Sequence, residues 1–432
     1  MGQAVQAAPA LLGTPLEPAL PPWNLPKRIA FRFVCSYLML YNLPMMGHVN
    51  LLEAIPGVSW LSEKYIRVWH VIVPWVVIHL FKLSGPVTVY PAVNGSGDTT
   101  LDYVEDFCIV VVALLATVVW SLLDLKRSDY RRLHFYLRVY IRYALSFTLF
   151  GYGFAKVFPT QFIFPTFGRL VEPLGEFSPM GLLWNFMGYS TAYIIFSGLA
   201  EVSGATLLLF RRTATLGAMA SAAVLLNVVM LNFCYDVPVK LYSLNLLLMA
   251  IFLMIPDLRR LANLLVLNRA TQPANLAAPE FEFRWMKIGA IAFQVLFVGY
   301  FLYGTIKEAW EGYKGFVLNR PKAPIYGLYE VETFTPLTSD ATRWRRVAIQ
   351  SPAAFTVRMM DDSSHIFNTE YNEAKGSVTI DKKSTFGYSR PDVEHVVLRG
   401  DSLAIKLKRV DPSKFLLVNR GFHWINERPF NR

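Results

Sequence analysis

Lys156 and Glu201 have the clearest claim to chemistry in this 432-residue chain, because each interrupts a long apolar run. A charge at bilayer depth costs about 2.5 to 3.5 kcal/mol, so it needs a partner or a task. Arg138 and Arg142 stand four residues apart, and Lys156 follows in the same run. At about 100° per residue the three cations share one stripe of a helix. Glu201 shares its own face with Ser197, Gly204 and Ala205, small neighbours that let another helix come close. Counted from the inner ends of their helices, Arg142 and Glu201 lie roughly 10 and 13 Å deep. The matching depths predict an Arg142–Glu201 ion pair, either a fixture of helix packing or part of a working site.

A second set converges nearer the outer face. Lys156 lies at that level in one helix, Asn227, Asn232 and Asp236 close the next but one, and Lys240 and Tyr242 open the one after. Pro238 suits a first helical turn, so Asp236 has a plain role in complementing the dipole and pairing with Lys240. Lys156 either snorkels to headgroups or points inward as a base or anion clamp. The candidates for catalysis are therefore Lys156 and Glu201. Those for binding are Arg142, Asn227, Asn232, Asp236, Lys240 and Tyr242.

Other chemistries find less support. Cys35, Cys108 and Cys234 form no CxxC or close pair, so neither a zinc site nor a thioredoxin-type motif is indicated. His70 and His79 fall on opposite sides of one helix, and His134 sits at a helix boundary, which makes haem improbable; His48, His365, His395 and His423 show no HxH or HExxH spacing. Gly95 and Gly97 lack the following Lys of a nucleotide loop. The net charge of +11 does not form a nucleic-acid patch: residues 320–432 carry 18 Lys and Arg against 13 Asp and Glu, and the rest of the surplus is spread over the remaining chain.

The elements that must position these residues follow from composition. Hydrophobic residues make up 54% and charged ones 17%, beyond what a soluble domain buries. Apolar runs of membrane-spanning length are predicted at 29–47, 65–83, 104–124, 135–158, 188–210, 214–234, 239–255 and 287–305. Arg32 and Pro44 interrupt the first, so the bundle has seven or eight spans. Basic residues follow the third (Lys126, Arg127, Arg131, Arg132), fifth (Arg211, Arg212) and seventh (Arg259, Arg260, Arg269). These connections are expected in the cytoplasm, with the 94–100 loop, residues 159–186 and the carboxy-terminal part outside. Lys27, Arg28 and Arg32 conflict with that orientation, unless the first segment is re-entrant or its charges are overruled. Residues 1–26 have the composition of a disordered leader, without signal-peptide or myristoylation patterns.

From about Tyr326 the texture changes to short alternating runs at 326–334, 344–349, 355–359, 377–381, 395–398, 403–407 and 415–418. These predict a small antiparallel β-sandwich or barrel. The aromatic and charged end, 420–432, is expected to pack back onto that domain or the bundle's outer mouth, or to form an amphipathic strand with solvated arginines.

The stretch from 143 to 260, with Arg142 just before it, resembles the DoxX-like family of four-helix membrane modules. The resemblance rests on Arg142 and Gly151-x-x-x-x-Lys156 on a first helix, and on Gly198-x-x-Glu201-x-x-Gly204 with Arg211-Arg212 on a second. The Asn227 helix is the third, and Asp236-Val-Pro-Val-Lys240 opens the fourth. It implies a quinone-linked oxidoreductase subunit or a component of redox or detoxification complexes, with a distant relation to the transmembrane domain of vitamin K-dependent carboxylase. Extra helices before the module and a β domain after it resemble longer bacterial relatives.

The expected layout is a leader (1–26), amino-terminal helices (27–125), a DoxX-like module (126–270), a last helix (271–320) and an extracytoplasmic β domain (321–432). The leading expectation is a bacterial inner-membrane protein whose polar intramembrane cavity binds a quinone-like or lipid-like molecule. The alternative is a non-catalytic assembly or sorting factor whose β domain binds an exported or membrane protein partner.

Overall fold

The computed structural model describes residues 21–43, 45–46, 49–50, 59–83, 95–274, 276, 283–336, 339–340 and 342–431. Most of the expected leader, His48, Asn94 and the middle of the 336–340 turn lie outside the described residues. The chain divides into two compact units, one of Met1–Met45, Leu51–Pro91 and Thr99–Ile141, the other of Met46–Asn50, Ala92–Asp98 and Arg142–Arg432.

The first unit is built on α1 (Leu25–Asn42), α2 (Ser59–His79) and α3 (Thr100–Leu123), and includes the start of α4 (Arg131–Val157). Asn24 caps α1 by accepting from the Lys27 amide at 3.1 Å, and Thr99 and Asp102 cap α3 reciprocally. Helix α1 ends at Asn42 because Pro44 follows, and Leu43 is already extended. Arg32 does not break it. Its guanidinium donates to the Tyr130 hydroxyl (2.9 Å), the Ser121 hydroxyl (2.8 Å) and the Asp124 carbonyl (2.8 Å), so a 2% exposed cation is fully satisfied. Toward the other end of α3, Trp69, Val73, Val77, Leu101, Val104 and Cys108 form an apolar core.

The second unit begins within α4 and continues through short α5 (Phe167–Leu170), α6 (Pro179–Tyr189), α7 (Thr191–Leu209), α8 (Ala214–Cys234), α9 (Lys240–Met254), α10 (Leu258–Leu265) and α11 (Arg284–Tyr313). Two-residue strands β1 (Met45–Met46) and β2 (Val49–Asn50) lie earlier in the chain. Each of the eight predicted apolar segments overlaps a helix, although 29–47 runs beyond the end of α1 at Asn42, 65–83 beyond the end of α2 at His79, and 188–210 takes in the end of α6. Five stretches are long and apolar enough to cross a membrane, Thr100–Leu123, Thr191–Leu209, Ala214–Cys234, Lys240–Leu265 and Arg284–Leu318, and the chain is a membrane protein. In α1 (Lys27, Arg28, Arg32), α2 (Glu63, Lys64, Arg67) and α4 (Arg131, Arg132, Arg138, Arg142, Lys156) the charges are placed so that no stretch of spanning length is as apolar as in those five.

The β domain is a closed antiparallel barrel. Its strands are β3 (Gly327–Thr335), β4 (Trp344–Ile349), β5 (Ala354–Met359), β6 (Ser364–Asn372), β7 (Ser377–Ile380), β8 (Ser384–Ser389), β9 (His395–Arg399) and β10 (Ala404–Val410). Each pairs with the next in sequence, and β10 closes on β3. Of the two architectures expected, the barrel is the one formed. Closure leaves no edge strand, and eight strands give an interior that side chains fill. Val347, Val357, Leu398, Ile405 and Leu407 are fully buried there, with Trp344 against Phe355 at 5.7 Å. Strands β6 and β8 escaped the sequence reading because each buries a single side chain, Thr369 and Phe386, and so lacks apolar alternation. The predicted strand at 415–418 is instead a short helix, α12 (Leu416–Asn419), following a turn that starts at Pro412. A continuous apolar run of that length does not distinguish the two by pattern.

Candidate site in the helical bundle

Small residues bring α4 and α7 together. A Cβ on Gly153 would stand 3.0 Å from the Gly198 carbonyl, and one on Gly198 would stand 2.6 Å from the Gly153 carbonyl and 2.8 Å from the Lys156 Cβ. The backbones therefore touch, and the Lys156 stem crosses Gly198. About two turns toward the start of α4, the Ser146 hydroxyl donates to the Ala205 carbonyl at 2.8 Å. On its other side α7 meets α8 as closely, since a Cβ on Gly204 would lie 2.7 Å from the Ser221 hydroxyl.

This crossing places Glu201 with Lys156, not with Arg142. The Lys156 ammonium donates to both carboxylate oxygens of Glu201, at 2.9 and 3.0 Å, and the two residues are 7% and 4% exposed. The expected Arg142–Glu201 pair is thereby corrected. Ser146 lies level with Ala205 and Gly153 with Gly198, so Arg142 falls level with Leu209, about 12 Å along the axis from Glu201. Depth counted from helix ends missed that offset. Side chains also lean toward the start of their own helix. In antiparallel helices that direction carries Lys156 and Glu201 toward one another and Arg142 away. Arg142 lies over the Tyr143 ring at 5.4 Å, 9% exposed, and its Nε has no hydrogen-bond partner.

Tyrosines border the ion pair. The Lys156 ammonium is 5.5 Å from the centre of the Tyr152 ring, and the Tyr152 and Tyr242 rings are 6.3 Å apart. The third donor direction of Lys156 meets only the Tyr152 carbonyl, at 3.4 Å. Tyr152 was not among the residues singled out from sequence. Four residues before Lys156, it was identifiable as a neighbour on the same helical face.

The remaining candidates separate. Asn232 is buried, with its amide 3.5 Å from the Val239 carbonyl, whereas Asn227 is exposed on α8. The Asp236–Lys240 pair forms as expected at 2.8 Å, yet the Asp236 side chain is 82% exposed. The dipole-complementing role belongs to Asp98 instead. Its carboxylate accepts from the Lys240 amide (2.8 Å) and the Leu241 amide (3.0 Å) and stands 3.6 Å from the Lys240 ammonium. Val239, at the cap position, offers no side-chain acceptor, so a carboxylate from the 95–98 loop satisfies the first amides of α9. Nothing in local spacing announces that contact across 142 residues. Asn245, buried one turn further along α9, donates to the Leu241 carbonyl at 3.1 Å. An amide in an otherwise apolar run was its available signal.

Among the described residues no group of three or more His, Cys, Asp or Glu side chains is placed to hold a metal. His134 packs edge-on against Trp23 and Phe31, and His79 stacks on Trp75. What the bundle site offers is hydrogen-bond chemistry: an ammonium with one weakly used donor direction, a carboxylate and two phenol rings.

No protein-family model matches the chain, and no solved structure matches it. The chain is similar to the uncharacterized protein YwoB of Bacillus subtilis (strain 168), 36% identical over 121 residues that make up 28% of this chain and 75% of that protein.

Proposed function

Since this chain belongs to the same family as the uncharacterized YwoB protein, we propose that it is a multi-pass protein of a bacterial inner membrane, with a DoxX-like module whose Lys156–Glu201 node binds a quinone-like molecule. The observation that carries this reading is the node itself. A lysine and a glutamate, each under one-tenth exposed, lie within a helix of membrane-spanning composition and the helix packed against it, beside two phenol rings. Two of three ammonium hydrogens are committed to Glu201, and the third makes only a 3.4 Å contact. A ring carbonyl is a better acceptor at that position, and the Tyr152 and Tyr242 rings, tilted 49° to one another, supply aromatic surface beside it. Glu201 holds the Lys156 ammonium in place through both carboxylate oxygens. The protein is in this reading a component of a redox complex, with quinone as its partner.

The orientation rests on the ends of the helices. Residues of the connection between α4 and α6 touch the barrel: the Phe167 amide donates to Gln350 at 2.8 Å, and the Phe167 and Tyr326 rings are 5.3 Å apart. Lys156 lies near this end of α4. Arg211 and Arg212 follow the end of α7 remote from Lys156, and Arg259 and Arg260 lie in α10 after α9. By the positive-inside rule this distribution supports an extracytoplasmic barrel in this reading.

The test is mass spectrometry of molecules retained by the purified chain in native lipid discs. Quinone enriched over the surrounding lipid, and lost in a folded Lys156→Met variant, is the expected result. Equal quinone in wild type and variant would remove the proposal.

A further inference from the structure

The chain leaves the barrel at a defined rim. Strand β10 ends at Val410, which pairs with Leu328 near the start of β3, and Gly327 pairs with Ile349 at the end of β4. This is the rim that β3 enters a few residues after the α11 segment ends at Leu318, and the rim where Gln350 and Tyr326 touch Phe167. The carboxy-terminal segment, 411–431, therefore emerges on the bundle-facing side.

That segment neither forms an amphipathic strand nor buries its apolar groups. It folds on itself through an Arg420–Asn426 hydrogen bond (2.6 Å), an Asn426 bond to the His423 carbonyl (3.2 Å) and Arg420 over the Phe430 ring (4.4 Å). Outside this loop stand Phe422 (78% exposed), Trp424 (91%) and Ile425 (77%). Leu416 and Leu417 on α12 extend the apolar surface. Lys414, Arg420 and Arg428 flank it, with Glu427 the single acid after Asp411. Aromatic and aliphatic side chains bordered by arginines match the composition of segments that settle at the headgroup boundary of an anionic bilayer.

We propose that residues 414–428 are an interfacial anchor. Phe422, Trp424 and Ile425 insert at the acyl boundary of the membrane that holds the helices, and Lys414, Arg420 and Arg428 pair with anionic lipid phosphates. The anchor fastens the barrel's lower rim to the bilayer at a second point besides α11.

The experiment uses the full-length chain in vesicles of phosphatidylethanolamine with phosphatidylglycerol. Cys35, Cys108 and Cys234 are replaced by serine, and one environment-sensitive fluorophore is attached through Ile425→Cys or, as a control, Ser363→Cys. Ser363 lies in the exposed turn before β6, at the opposite rim. The Ile425 label is expected to be blue-shifted and quenched by lipids carrying a spin label high on the acyl chain, and the Ser363 label unaffected. Replacing Arg420 and Arg428 by Gln should weaken partitioning about fivefold for each arginine. An Ile425 label that is water-exposed overturns the proposal, and so does one that is shielded yet unquenched by the lipid probes, the signature of a protein partner covering the segment.

Discussion

A lysine and a glutamate that share two hydrogen bonds inside an apolar bundle stabilise one another mainly by removing the penalty of a lone charge. Glu201→Gln or Lys156→Met leaves such a charge and should cost about 3 to 5 kcal/mol of stability. The double variant Lys156→Met, Glu201→Leu should recover most of that loss while binding no quinone. Thermal melting in detergent beside ligand recovery checks both halves, and a double variant no more stable than the singles would speak against the pairing. Asp98 gives a second residue-scale expectation. Asp98→Ala removes both acceptors at the first turn of α9 and should lower stability by about 1 to 2 kcal/mol, read as a lower midpoint of unfolding. That Glu201 is buried and paired with a cation was legible from a charge in an apolar run, whereas for Lys156 the sequence leaves snorkelling and inward pointing both open. Their mutual identity was not legible, because it depends on the axial offset of two helices and on which way each side chain leans.

Between elements, glycine sets the α4–α7 distance. A Cβ at Gly198 meets backbone at 2.6 Å, and no rotamer change relieves a backbone contact. Gly198→Leu should therefore push the helices apart, lower protein abundance and abolish recovery of any ligand. Ser146→Ala, which removes one interhelical hydrogen bond at 2.8 Å, should cost only about 0.6 kcal/mol. Comparing the two by melting temperature tests whether close approach, rather than the hydroxyl bond, holds this crossing. Five of the apolar segments announced helices of spanning length because membrane burial imposes a run of one character, and the charges in α1, α2 and α4 interrupt theirs. The barrel was half announced: β3, β4, β5, β7, β9 and β10 alternate or bury several side chains, while β6 is held by its ladders to β5 and β7 with little buried surface of its own. Hydrogen bonding between strands leaves no trace in residue type.

For the molecule as a whole, the bundle and the barrel face different solvents and should respond to different variables. Barrel carboxylates titrate in water. Hydrogen bonds from Lys406 and then His395 hold Glu332 below its ordinary value of 4.5, and hydrogen bonds from Ser363 and His395 hold Asp361 and Asp392 below 3.8. A depressed folded-state value contributes stability that is present above the ordinary value and lost as pH falls through the folded one. Barrel melting temperature should thus be level near neutrality and fall below about pH 4.5, with Glu332→Gln flattening that limb. These groups are exposed, so the effect is small and weakens with salt. The bundle answers instead to what enters it from the membrane. Whether the Lys156–Glu201 node holds a quinone-like molecule is decided by its recovery from the purified chain in native lipid discs, quantified against the lipid alone. Enrichment in wild type and loss in folded Lys156→Met, Glu201→Leu protein is the expected result. Quinone at background level in wild type, or at equal level in both, would contradict it.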